Sequence, residues 1–372
     1  MKVVGALLAM TLLAACSSDP APPALEKTTQ APTPSPTPTI TYPGHEWKEA
    51  RQGDFAKLDA ELGAARSTCF AVIKNGKLVH DAYWAGTGER TKRPAYSITK
   101  SVTAILVGIA ADEGKLALDD KAADYIPEWR GTDAESVTIR DLLSNTSGRH
   151  WDYNTDYSQM VRRAPDKTAF AIALSQDSKP GMKWDYNNSA VQTLEAILQK
   201  ATGEDVAAYA EKRLLDPIGV RDTTWAHDSA GNTTTYSGID SSCQDLARIG
   251  YLMMRKGAWN GTQLVSDAFV AEATKSTSTL NAAYGLLWWV NKPGRIVTID
   301  RAAGFPKDKP PYEGQLAPSV PDDAFWALGY GNEYVAVIPS EGVVAVRMGA
   351  RPATPDRLTF ASFTSGTLDA LS

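Results

Sequence analysis

The chain begins its ordered pattern with a short apolar run, Thr68 to Lys74, rich in β-branched and aromatic residues. Asn75-Gly76 follows, a strong two-residue turn signal, and Lys77 to Trp84 supplies a return strand, so the stretch predicts a β-hairpin. The next periodicity is helical. Between Tyr96 and Glu113, Ile98, Val102, Ile105, Leu106 and Ile109 recur at helical spacing, and Gly114 is a natural stop. From about residue 116 to 226 the reading is mainly helical, with segments over Thr138 to Leu143, Thr168 to Leu174, Ser189 to Ala201 before Gly203, and Val206 to Leu214. Gln244 to Lys256 and Ser266 to Lys275 predict two more helices. The pattern then reverts to strands: Ala283 to Val290, Ala324 to Pro339 and Val343 to Met348, with Ser340-Glu341-Gly342 turning between the last two. Arg357 to Leu371 predicts a closing helix. Strands at both ends and helices between them predict an α+β fold, an antiparallel sheet built from the two ends with a helical lobe inserted at about 116–226. No internal repeat is present.

The N-terminus has a different character. Met1-Lys2 opens a positive start and Val3 to Ala15 is an apolar stretch of signal-peptide length, too short to span a bilayer comfortably. It ends in Leu13-Ala14-Ala15-Cys16, which resembles the bacterial lipobox; residues 1–16 are therefore expected to be a lipoprotein signal ending at the lipidated Cys16, an ordinary signal peptide being the alternative. Residues 17–43 are rich in Pro, Thr and Ser and read as a disordered, extended tether. Residues 44–372 remain, enough chain for one large domain or two intimately packed lobes. The expectation is an exported domain in the bacterial cell envelope, attached to a membrane through its N-terminal lipid alone. Two cysteines are left in the mature chain, Cys69 and Cys243; outside the cytoplasm they read either as one disulfide or as two buried thiols. The formal net charge of -5 and the lack of a basic run argue against nucleic acid as a partner.

Ser97-Ile98-Thr99-Lys100 is the sole Ser-x-x-Lys in the chain. On a helix, residues three apart share a face, so hydroxyl and amine can meet. A serine hydroxyl is a weak nucleophile and needs a base, which a lysine becomes when its surroundings leave it uncharged. Alone, the tetrapeptide also fits a helix-capping serine followed by a solvated lysine. A second constellation, Tyr186-Asn187-Asn188, lies between the Pro180-Gly181 turn and the helix from Ser189. Its phenol can point into a cleft as a phenolate or a proton-sharing group, and Asn188 offers both a donor and an acceptor. The four histidines, His45, His80, His150 and His227, lack close metal-ligand spacing, so no metal site is expected.

Ser-x-x-Lys opening a helix after a hairpin, then Tyr-x-Asn on a loop in a helical lobe, then a late glycine-containing strand resembles the serine β-lactamase and penicillin-binding superfamily. The likeness covers roughly 44–372 and runs closest to the class C-like esterases and the 6-aminohexanoate-dimer hydrolases. Gly114-Lys115-Leu116, Pro217-Ile218-Gly219, Asp245-Leu246-Ala247-Arg248 and the stretch from Leu142 to Tyr153 also carry it. The resemblance implies a β-lactamase/transpeptidase-like fold and a Ser97 acyl-enzyme, with Lys100 and Tyr186 moving the proton and Asn188 orienting Lys100 or the substrate. It implies no cofactor and a small ester or amide as substrate. The family's third motif normally carries Lys-Thr-Gly or His-x-Gly. Here Gly329 takes the glycine slot and Ala327 the cation slot, with the Tyr330 N–H as the second oxyanion donor beside that of Ser97. Arg347 on the following strand is the candidate replacement cation. The lost cation shifts the expectation from β-lactams and D-alanyl peptides, the alternative substrates, towards neutral esters or amides. A penicillin-binding-like envelope sensor that acylates without turnover is the rival from another class.

Overall fold

The computed structural model describes residues 42–44, 46–299, 310–351 and 358–372. The expected signal segment, Cys16, nearly all of the expected tether, His45 and Arg357 lie outside the described residues. Tyr42, which the composition assigned to the tether, belongs to the fold: its ring meets Tyr251 and Trp259 with centroids 5.9 and 5.7 Å apart.

The core is a six-stranded sheet in the spatial order Lys77–Tyr83, Ser67–Lys74, Val343–Gly349, Glu333–Ile338, Phe325–Gly329 and Trp289–Val290, with every neighbouring pair antiparallel. The first hairpin and the last three long strands therefore lie side by side in one sheet built from the two ends of the chain, as the α+β reading expects. Val343–Gly349 lies between Ser67–Lys74 and Glu333–Ile338, joining N-terminal to C-terminal segments.

Helices cover both faces. Alternation places Tyr334 on one side of its strand and Val335 and Val337 on the other. Tyr334 and Phe70 pack against Phe363 of the C-terminal helix Phe360–Leu371. On the opposite face, Gly250 of the helix Cys243–Met254 lies so close to the sheet that an added Cβ would fall 2.7 Å from Val344 and 2.9 Å from Val335. Only a glycine permits that approach. Cys69 and Cys243 are joined as a disulfide, which ties the strand Ser67–Lys74 to the first residue of this helix.

Two expected strands are corrected. Ala324 to Pro339 is a hairpin of two strands, Phe325–Gly329 and Glu333–Ile338, turning at Tyr330-Gly331-Asn332. Gly331 and Asn332 adopt left-handed φ of 85° and 66°, which folds the chain back. Both strands are buried on both faces, so no alternation marks the break. In Ala283 to Val290 the sheet takes up only Trp289–Val290, because Leu287 turns at φ 58° and Tyr284 bridges back to Trp289. The helical lobe contains the expected helices, Ile139–Leu143, Lys167–Ala173, Asn188–Thr202 and Val206–Ala210. It also holds a π-helical segment, Asn154–Val161, that periodicity did not mark.

Candidate active site

Ser97 immediately precedes the helix Ile98–Asp112, a segment buried over almost its whole length. Its side chain makes no capping bond to the helix, which leaves the hydroxyl available. The preceding residue, Tyr96, is held at φ 47°, a left-handed conformation that is costly for a side chain of this size and is the kind of strain found at functional positions.

Lys100, one turn on, is 1% exposed. Its Nζ lies 2.9 Å from Ser97 Oγ, 2.6 Å from Asn188 Oδ1 and 2.9 Å from the Tyr236 carbonyl oxygen. Burial lowers its pKa from the usual lysine range to about 7, opposed by the charge of Asp156. Geometry specifies what the neutral amine does. Asn188 Oδ1 and the Tyr236 carbonyl can only accept, so they take its two N–H bonds, and the remaining lone pair faces the Ser97 hydroxyl. That is the alignment of a general base.

The Tyr186 side chain stands beside Ser97, whose hydroxyl works to lower the pKa of the phenol, and the Lys100 Nζ stands 4.8 Å from the centre of its ring. Burial pushes the phenol well above its ordinary range. At neutral pH it is a phenol and not the phenolate that the sequence left open, because desolvation outweighs the help from Ser97. Trp184, Tyr284 and Trp289 pack behind the ring; the Tyr186 and Trp289 planes lie 26° apart with centroids at 6.0 Å. This aromatic wall holds Tyr186 in place.

Sequence reasoning missed two contributors. The Tyr236 carbonyl reaches Lys100 because its loop is stitched to the helix Ile98–Asp112: Thr103 Oγ1 donates to Thr235 O at 2.8 Å, and Ile239 N donates to Thr99 Oγ1 at 3.1 Å. Asp156, from the π-helical segment, is buried behind Asn188 and accepts from its Nδ2 at 2.7 Å. A backbone carbonyl leaves no sequence signal, and a lone Asp in a polar stretch leaves a weak one.

The residues counted into the third motif lie on the strand Phe325–Gly329 and the turn after it. Gly329 lies on the sheet face shared with Val335 and Val337, and a Cβ there would fall 2.5 Å from Ala95 O. The strand thus runs directly against the residues leading to Ser97. Tyr330 is 47% exposed and meets Tyr96 edge-on at 5.5 Å. Ala327 is buried, and Arg347 does not replace the missing cation. Its guanidinium is consumed inside the sheet by Ser67 Oγ and the carbonyls of Gly331, Asn332, Ala65 and Ala350. It braces the turn that carries Tyr330. Glu333, also buried, accepts the Gly349 N–H with both oxygens beside it. His150 bridges Asp152 and Asp177 and is partly exposed.

The comparisons fit this arrangement. An uncharacterised protein from Alkalihalophilus pseudofirmus is 23% identical over 324 residues, covering 78% of this chain and 86% of that one. A 6-aminohexanoate-dimer hydrolase from Paenarthrobacter ureafaciens is 24% identical over 234 residues, which are 57% of this chain and 58% of the relative. A solved Bacillus anthracis structure named for the 6-aminohexanoate-dimer hydrolases superposes with a TM-score of 0.70 at 18% identity, covering 87% of this chain and 86% of that one. The beta-lactamase family model matches residues 55–361, a span that contains Ser97, Lys100, Tyr186 and Gly329. With most of its length matched and the fold shared, the chain belongs to the beta-lactamase family.

Proposed function

We propose that the protein is a serine hydrolase that opens a neutral ester or amide bond through an acyl-enzyme on Ser97. The observation that carries the reading is the Lys100 amine, buried, with two fixed acceptors turning its lone pair onto the Ser97 hydroxyl. Ser97 Oγ attacks the substrate carbonyl carbon while its proton passes to Lys100 Nζ. The oxyanion is met by the backbone N–H groups of Ser97 and Tyr330. Lys100 then returns the proton, through the Tyr186 phenol, to the departing alkoxide or amine, and the carbonyl–heteroatom bond breaks. In deacylation a water molecule attacks the acyl carbon as its proton passes to the Tyr186–Lys100 pair, and Ser97 leaves reprotonated. The acid is released.

The preference for neutral substrates rests on Ala327 in the cation slot and on Arg347 being consumed within the sheet. A charged contact to a substrate carboxylate is worth about 1.5–3 kcal/mol, so its loss weakens a β-lactam or peptide terminus roughly tenfold to a hundredfold. Turnover of p-nitrophenyl butyrate and of nitrocefin, each with wild type and Ser97→Ala, tests both parts. Ester turnover that disappears in Ser97→Ala and exceeds cephalosporin turnover is expected. Equal ester turnover by the variant removes Ser97 from the reaction, and dominant cephalosporin turnover overturns the substrate preference. The same reading places the domain at a membrane through lipid on Cys16, and the Cys69–Cys243 disulfide accords with an oxidising compartment. Incorporation of labelled palmitate, lost in Cys16→Ala, tests it.

A further inference from the structure

Asp156 is 1% exposed, yet it belongs to neither the nucleophile helix nor the Tyr-x-Asn loop. Its two oxygens receive four hydrogen bonds. Oδ2 takes Asn188 Nδ2 at 2.7 Å and Asn188 N at 3.4 Å; Oδ1 takes Ser189 N and Ser189 Oγ, both at 2.8 Å. Burial pushes the Asp156 pKa upward, and the bonds from Ser189 and Asn188 oppose it; because three of the four donors are N–H groups that cannot accept, the hydrogen-bond geometry favours the ionised carboxylate against that burial. It also lies at the start of the helix Asn188–Thr202, where the first-turn N–H groups and the helix dipole favour a negative charge.

From this geometry we infer that Asp156 is a positioning residue, whose carboxylate fixes the Asn188 amide in the orientation that presents an oxygen to Lys100. An asparagine amide has two nearly isosteric ends. With Nδ2 given to Asp156, Oδ1 is committed to Lys100 Nζ at 2.6 Å. The reverse orientation would set oxygen against carboxylate and NH2 against the amine's own N–H. Because Asn188 is one of the two acceptors that aim the Lys100 lone pair, the alignment of the base on Ser97 traces back to Asp156. The inference rests on the Ser97–Lys100 reading above.

Asp156 acts on Lys100 a second way, as a charge. Around the amine stand Ser97, Asn188, the Tyr236 carbonyl and the rings of Tyr186 and Tyr236; both phenols are held protonated by burial. Asp156 is the charge that raises the amine's proton affinity against its burial. Removing it while keeping the shape frees the base at lower pH and misaligns it.

The experiment is the pH dependence of kcat/KM on an ester substrate for wild type, Asp156→Asn, Asn188→Asp and Ser97→Ala, with thermal melts on each. In Asp156→Asn the acidic limb should move down by about one pH unit while the plateau falls about tenfold or more. Asn188→Asp deletes the N–H that Asp156 holds and brings a second carboxylate to Lys100, so its limb should move up. Opposite displacements are not the signature of general loosening. A folded Asp156→Asn enzyme with the wild-type limb and plateau overturns the inference. Should that variant not fold, an unmoved limb and plateau in Asn188→Asp overturns it alone. Activity retained by Ser97→Ala, or no acidic limb in wild type, sinks the underlying mechanism instead.

Discussion

At the residue scale the chemistry depends on which atoms can only accept and which can only donate. Lys100 is surrounded by two obligate acceptors and one hydroxyl, and that asymmetry makes its lone pair useful. Ser97→Ala should abolish turnover while leaving the melting temperature nearly unchanged. Lys100→Ala and Tyr186→Phe should each lower kcat by about a hundredfold or more, the usual scale for a proton-transfer group, as single-turnover kinetics would show. Near-normal turnover in either variant removes that residue from the mechanism. The pH profile gives the sign independently. Burial favours the uncharged amine and brings its pKa to about 7. Only the unprotonated form accepts the Ser97 proton, so kcat/KM should fall about tenfold per unit below pH 7 and level off above it. A profile flat down to pH 5 contradicts a lysine base. Ser97, Lys100, Tyr186 and Asn188 were legible in the sequence because short spacings and a loop before a helix place them together. Tyr236 and Asp156 were not, because one acts through its backbone and the other through a contact 32 positions away in the chain.

Among the elements, the hairpin from Phe325 to Ile338 and the disulfide carry the consequences. The hairpin was hidden as one long strand, since burial on both faces erases the period of two by which a strand is read. Its first strand presses Gly329 against Ala95, two residues before Ser97. Gly329→Ala places a methyl 2.5 Å from a backbone oxygen, which cannot swing away as a side chain would. Either the strand or the loop before Ser97 must shift, and a displacement of this kind should cost about tenfold or more in kcat/KM. Retention of full activity would show that the cleft does not need this approach. The disulfide acts elsewhere. It joins a central strand to the helix on its inner face, across a sequence separation of 174. In the double variant Cys69→Ser/Cys243→Ser, urea unfolding should show a loss of about 2–4 kcal/mol, the usual range for a native disulfide, with the active site's pH profile unchanged. An equal midpoint in both proteins would mean that packing alone holds the helix to the sheet.

Across the whole molecule, the buried ionisable groups make stability depend on pH in a way that can be assigned. Glu195, deep in the helix Asn188–Thr202, has one oxygen held by Thr168 and the other without a partner among the described residues. Burial raises its pKa from the ordinary 4.5 to about 7, with Asp205, Asp228 and Asp166 adding to the effect of desolvation. The folded state therefore holds this proton more tightly than the unfolded chain does. Below pH 4.5 both states are protonated and the group costs nothing extra. As pH rises from 4.5 to about 7 the unfolded chain releases the proton first, and stability is lost across that window. Lys100 has the opposite shift, from 10.5 to about 7, so the folded state gives up its proton first. Its penalty is largest below pH 7 and is relieved between 7 and 10.5. The two windows barely overlap, which lets each be measured by difference. Melting temperatures of wild type and Glu195→Gln should diverge progressively from pH 4.5 to 7, the variant becoming the more stable, and stay parallel above pH 8. Buried Glu333 and Asp245 are also pushed upwards, but they contribute equally to both proteins and cancel in the comparison. A constant difference at every pH would show that the folded and unfolded chains hold the Glu195 proton equally tightly, so that burial does not raise its pKa.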